Sequence, residues 1–265
     1  MQSEFAIRDN TPIAYCLRWV WTGWPSNGLF PDHSSIDWRK LEASWEDDGI
    51  RTLEYRFDRS QWSVVVSTKP IIAPTVIVSR LKGRIDHAYR LTGNPLKFSR
   101  KVALRSLGEN TQQDVDRYIA KQVDKQCFVD ETFSSALHEF TRVWSNDASR
   151  PLEVSSGRYW YRLHLVLGIE KRDRIRDLKF LGKLFEMIQE AALDSGYVLS
   201  ALSVMTEHVH IALRGLVDKS PDEIARYFQA TVELRLAVSG LWQPSYYVGT
   251  FGAYNMNIVR LSQGN

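Results

Sequence analysis

The chain has 265 residues, 44% apolar and 25% charged, with a formal net charge of +3. That is an ordinary soluble composition, long enough for a substantial core in one domain or two, and mildly basic in a way that permits a nucleic-acid partner without demanding one. No apolar run reaches membrane-spanning length, the start "MQSEFAIRDN" has no signal core, and Cys16 and Cys127 form neither a disulfide framework nor a metal-site spacing, which predicts a cytoplasmic protein with no membrane partner.

In chain order, "IAYCLRWVW" reads as a strand, and Trp19, Trp21 and Trp24 read as core or interface filling. "SIDWRKLEASWEDDG" has helical spacing, "RTLEYRF" and "QWSVVVS" read as strands, and "PTVIVSRLKGRIDHAYRL" is a helix entered through Pro74. "TQQDVDRYIAKQV" is a further helix, on which Tyr118 and Gln122, four apart, share a face. Residues 126–157 read as a linker that includes a short amphipathic piece, "FSSALHEFTRVW". After it, "RYWYRLHLVLGIEKRDRI" opens with a strand and a basic turn, and "DLKFLGKLFEMIQEAALDS" is a helix stopped by Gly196. "YVLSALSVM" and "HVHIAL" are strands, "SPDEIARYFQATVELRLAV" is a helix with a Ser-Pro start and acidic first turn, and "SYYVGTFG" is a closing strand.

That order is β-α-β-β-α-β, the ferredoxin-like arrangement, and the first half repeats it more weakly. A register that puts Pro74 on Pro221 also puts Gln61 on His208 and Ser63 on His210. After a small length change, Phe98 falls on Trp242, Ser106 on Thr250 and Gly108 on Gly252. The fold class expected is therefore α+β, with two such units in tandem. In "TEHVHIALRG", His208 and His210 lie two apart on a strand and share a face while Val209 points the other way. From this stretch alone the pair reads either as metal ligands or as two unrelated histidines on a sheet surface.

Taken together these segments resemble the HUH single-tyrosine transposases, the TnpA-like enzymes of small bacterial insertion sequences. The later half supplies "HVH" at 208–210, "SP" at 220–221 and "LWQPSYYVGTFG" at 241–252; the earlier half supplies "PTVIVSRLKG", "FSRKVALRSLG" and "RYIAKQ" at 117–122. The resemblance covers nearly all of 158–265 and most of 50–125. Its departures are complementary: Gln61-Trp62-Ser63 replaces the histidine motif in the first copy, and Ser262 stands where the second copy should have its tyrosine. The resemblance implies a degenerate domain at 1–125 that keeps the tyrosine helix, a linker at 126–157, and a domain at 158–265 that keeps the histidines. The two would join their antiparallel sheets as an internal pseudo-dimer, a monomer with one composite site.

It further implies that His208, His210 and Gln122 bind Mg²⁺ or Mn²⁺, with Glu207 as a possible assistant. Relatives place an acid one residue earlier, where this chain has Thr206. Tyr118 would attack a scissile phosphate of single-stranded DNA flanked by a hairpin, giving a 5′-phosphotyrosine. Arg80, Lys82 and Arg84, and Lys171, Arg172 and Arg174, are candidate phosphate contacts, or else ordinary solvated charges. The rival readings are a hairpin-binding protein of DNA or RNA that no longer cleaves, and a CRISPR-repeat endoribonuclease of the tandem ferredoxin-like type. "GTFGAYN" is a poor match to the glycine-rich loop of that last group.

Overall fold

The computed structural model describes residues 14–126, 130–170 and 175–253. In chain order it forms β1 (Ala14–Pro25), α1 (Trp38–Asp47), β2 (Ile50–Phe57), β3 (Trp62–Thr68), α2 (Pro74–Leu91) and β4 (Phe98–Leu107). Next come α3 (Gln112–Ala120), α4 (Glu131–Glu139), β5 (Thr141–Val143), β6 (Leu152–Val154) and β7 (Gly157–Trp160). The chain continues through β8 (Arg162–Ile169), α5 (Leu178–Ser195), β9 (Val198–Val204), β10 (His208–Arg214), α6 (Pro221–Leu236) and β11 (Trp242–Thr250). This is a mixed α+β fold with two sheets. No described helix is long and apolar enough to cross a membrane.

Local chemistry sets the helix ends. Pro74 opens α2, and at α6 the Ser220 hydroxyl takes the Glu223 N–H while the Glu223 carboxylate takes the Ser220 N–H. Gly196 ends α5 at φ 77°, a left-handed conformation that a side chain would strain. Along β8, Leu163, Leu165, Leu167 and Ile169 are buried, and Leu184 and Ile188 of α5 and Phe228 and Val232 of α6 join them in one apolar cluster. Trp19 and Trp21 belong to the same core, as filling.

One sheet has the strand order β2-β3-β1-β4-β7-β6 and the other β11-β8-β10-β9-β5. The element order β-α-β-β-α-β therefore occurs twice, over β1 to β4 and over β8 to β11, and both runs share one strand order. The segment expected to link them is more than a tether. Its β5 pairs with β9 on the second sheet, and its β6 pairs with β7, which starts at the end of the segment and pairs in parallel with β4 on the first.

The two sheets meet where β1 and β4 approach β8 and β11, through contacts that come in matched pairs. Arg18 N–H donates to the Thr250 hydroxyl at 2.7 Å, and Arg162 N–H donates to the Ser106 hydroxyl at 3.1 Å. In turn Thr250 Oγ1 donates to Leu107 O at 2.7 Å, and Ser106 Oγ donates to Phe251 O at 2.9 Å. Gly108 N–H then donates to Gly252 O at 3.2 Å. A Cβ on Gly108 would lie 2.5 Å from the Thr250 carbonyl oxygen, so only glycine permits this approach. Beyond Gly108 the chain enters α3, which lies across the second sheet.

Candidate active site

α3 docks through Val115 and Ile119, buried against Ala201, Ala212 and Phe251. At its start Gln112 Nε2 donates to Ser200 Oγ at 2.7 Å, and Ser200 Oγ donates to Asp116 Oδ1 at 3.0 Å. This anchorage brings Tyr118, 44% exposed, over the face of the second sheet that its leucines do not use. Strand alternation puts His208 and His210 of β10 on that face. The Tyr118 ring centre lies 5.6 Å from that of His210, edge to face. His208 and His210 are 4.8 Å apart at near right angles.

A third histidine, His164 of β8, completes the cluster and was not singled out from sequence. Its register partner is Ala212, so it lies diagonal to His210 across the β8–β10 ladder. His164 Nε2 and His210 Nδ1 are 3.1 Å apart, and the rings are nearly parallel. The Tyr118 and Tyr247 rings each make a T-shaped contact with His164, with ring centres 5.9 and 5.5 Å away. Polar residues at alternate positions of β8, Arg162 and His164, were the available signal.

Burial disfavours charge on all three imidazoles. It lowers His164 to about 4, and it holds His210 well below the usual histidine value, helped by His164, His208 and Lys125. It also lowers His208, opposed by the nearby Glu207 carboxylate. Neutral imidazole is the form that offers a lone pair to a metal. The Lys125 ammonium sits 3.7 Å from the centre of the Tyr118 ring, a cation–π contact that adds positive charge beside the hydroxyl-bearing ring.

The helix carrying Tyr118 ends at Ala120, so Gln122 occupies the following turn rather than the same helical face. It is nevertheless buried and folds back, its Nε2 donating to Tyr118 O at 2.7 Å, which commits the amide nitrogen and leaves the carbonyl oxygen as its acceptor end. Glu207 Oε1 lies 3.9 Å from His208 Nδ1, and the Thr206 hydroxyl is buried without a hydrogen-bond partner in the same turn. Among the described residues no group of three or more His, Cys, Asp or Glu has a metal-holding arrangement. The residues that could hold a divalent ion here are the histidine pair and the Gln122 amide oxygen. That donor set suits Mg²⁺ or Mn²⁺.

The cations of α2 have partners within the chain. Arg84 and Arg80 pair with Asp48 at 3.1 and 3.6 Å, and Lys82 donates to Ser99 O at 2.9 Å. Lys171, Arg172, Arg174 and Ser262 lie outside the described residues. In the first sheet Gln61 Nε2 donates to Ser63 Oγ at 3.2 Å, and Ser63 contacts Thr22 Oγ1 at 3.3 Å, a buried polar network at the positions that the repeat register matches to His208 and His210.

Residues 158–261 match the family model described as "Transposase IS200 like". Over this segment the chain is similar to the IS200-like transposases. The IS200-like segment contains β8 to β11 with all three clustered histidines, while Tyr118 and Gln122 precede it. No curated protein matches the chain. Among solved structures, a Deinococcus radiodurans R1 protein described as a transposase is 20% identical, over 38% of this chain and 85% of its own, with a TM-score of 0.31. A REP-associated tyrosine transposase bound to a REP hairpin is 14% identical, over 38% of this chain and 61% of its own, with a TM-score of 0.30. Both are likenesses of part of the chain, at values too low to transfer a function.

Proposed function

We propose that the protein cleaves and rejoins single-stranded DNA at one composite site, built from the tyrosine of the first repeat and the histidines of the second. On this reading the two β-α-β-β-α-β runs are ferredoxin-like copies related by an approximate two-fold axis, and the chain is its own pseudo-dimer. The matched hydrogen bonds of Ser106 and Thr250 support that symmetry. The observation that carries the catalytic reading is the placement of Tyr118, from outside the IS200-like segment, against the histidine face inside it.

Tyr118 Oη forms the bond to phosphorus as the P–O3′ bond breaks, with the electron pair leaving on O3′. The phenolic proton is transferred, in net terms, to O3′. The products are a 5′-phosphotyrosine and a free 3′-hydroxyl, and attack by a 3′-hydroxyl reverses the step and rejoins DNA. His208, His210 and Gln122 would hold the Mg²⁺ or Mn²⁺, which supplies Lewis-acid stabilisation of charge on the phosphate oxygens. Lys125, over the Tyr118 ring, adds a cation beside the developing charge.

The test is a covalent adduct. Hairpin-bearing single-stranded DNA and Mg²⁺ are incubated with wild type, Tyr118→Phe and His208→Ala, and the linkage is mapped by mass spectrometry. Wild type alone should form the adduct, on Tyr118. DNA joined to any other residue sinks the composite site. No adduct from a broad library, together with tight hairpin binding, would favour a non-cleaving binding protein. The buried Gln61–Ser63 network, which has already replaced one histidine pair, gives that second reading its footing.

A further inference from the structure

We propose that His164 is a positioning residue that fixes His210 as its Nδ1–H tautomer, so that His210 offers its Nε2 lone pair to the divalent ion; this rests on the metal reading above. A neutral imidazole has one donor and one acceptor nitrogen. At 3.1 Å, His164 Nε2 and His210 Nδ1 share a single proton between them. If His164 donates it, the proton of His210 must sit on Nε2, and neither His210 nitrogen can bind a metal. If His210 donates, its Nε2 is free. Only the second arrangement makes His210 a ligand, and it gives that ligand the outer hydrogen bond that metal-binding histidines need.

Three observations support a built contact over an accidental one. Both histidines sit on inner strands of the second sheet, β8 and β10, whose pairing fixes their diagonal relation. The Tyr118 ring lies edge-to-face with both rings, so the pair is oriented where the proposed nucleophile stands. The register of the sheet joint, which matches Arg18 with Arg162 and Ser106 with Thr250, puts Val20 on His164. The repeat that has Gln61 and Ser63 for the histidine pair thus lacks the third histidine too. The second repeat has all three histidines at the matched positions and the first has none.

The experiment uses the full chain without metal, labelled with ¹⁵N-histidine, near neutral pH. Two-bond ¹H–¹⁵N correlations report each ring's tautomer directly. Wild type should show His210 protonated on Nδ1 alone. His164→Leu should let His210 populate both tautomers and weaken Mn²⁺ binding by about 10-fold or more. In His164→Gln the side-chain carbonyl can accept the same proton, so the tautomer and most of the affinity should return. That rescue separates positioning from loss of fold. An Nε2–H His210 in wild type, or an unchanged tautomer in His164→Leu, overturns the proposal. So does a Zn²⁺-loaded spectrum with the metal on a His164 nitrogen, which would make His164 a ligand. Wild type that has the Nδ1–H tautomer yet takes up no Mn²⁺ overturns the metal reading itself and, with it, the purpose of the contact.

Discussion

Replacing Thr250 by Val keeps the side-chain volume at the sheet joint and removes one hydroxyl. That hydroxyl accepts Arg18 N–H at 2.7 Å and donates to Leu107 O at 2.7 Å, so the substitution strands one main-chain donor and one main-chain acceptor. Ser106→Ala does the same on the matched side, stranding Arg162 N–H and Phe251 O. Each orphan costs about 1–3 kcal/mol when buried, so each substitution should cost at most roughly 2–6 kcal/mol, less whatever solvent and relaxation recover. A domain is stable by only about 5–15 kcal/mol, so either loss moves a urea midpoint visibly. Equilibrium unfolding followed by circular dichroism should give similar losses for the two variants. The double variant should lose less than the sum, since a joint already opened has less to lose. Two losses below about 0.5 kcal/mol, the range of an ordinary surface change, would refute the view that these hydroxyls hold the repeats together. Losses of very unequal size would refute the matched geometry.

Two further outcomes follow from the same packing. Ile119→Ala, at the buried foot of α3, should cost about 2–5 kcal/mol of helix docking, speed hydrogen exchange in α3 and lower DNA-adduct yield although Tyr118 is intact; unchanged exchange would count against docking as the determinant of Tyr118. Alkali should unfold the protein, because burial pushes Tyr197 up to about 12 and raises Tyr159, Tyr161, Tyr89 and Tyr246 as well. Unfolded tyrosines ionise near pH 10, so between about pH 10 and 12 the unfolded chain binds fewer protons and stability falls as pH rises. Tyrosinate absorbance should then appear in step with the loss of circular dichroism. Full ionisation near pH 10 with the fold intact would contradict it.

The sequence by itself determined the local pieces, since their causes are local. Strand alternation put His208 and His210 on one face, the Ser-Pro start and acidic first turn opened α6, and Gly196 closed α5. Repetition matched Ser106 with Thr250 and Gly108 with Gly252, although nothing in the pattern says that matched residues touch. Only the tertiary structure decided that they do, because glycine at both positions lets two backbones approach where a Cβ would collide. It also decided that α3 leaves its own repeat to lie on the other sheet. The three-residue strands β5 and β6 have no pattern long enough to read: β5 exists through pairing with distant β9, and β6 forms a hairpin with β7, which is itself held by distant β4. His164 was hidden for the same reason. Alternation along β8 gives its face, but its neighbour His210 is set by the register between two strands that the whole of α5 and β9 separates in sequence. A hydrogen bond across that distance is a property of the packed sheet, where long-range pairing brings one strand's side chains against another's.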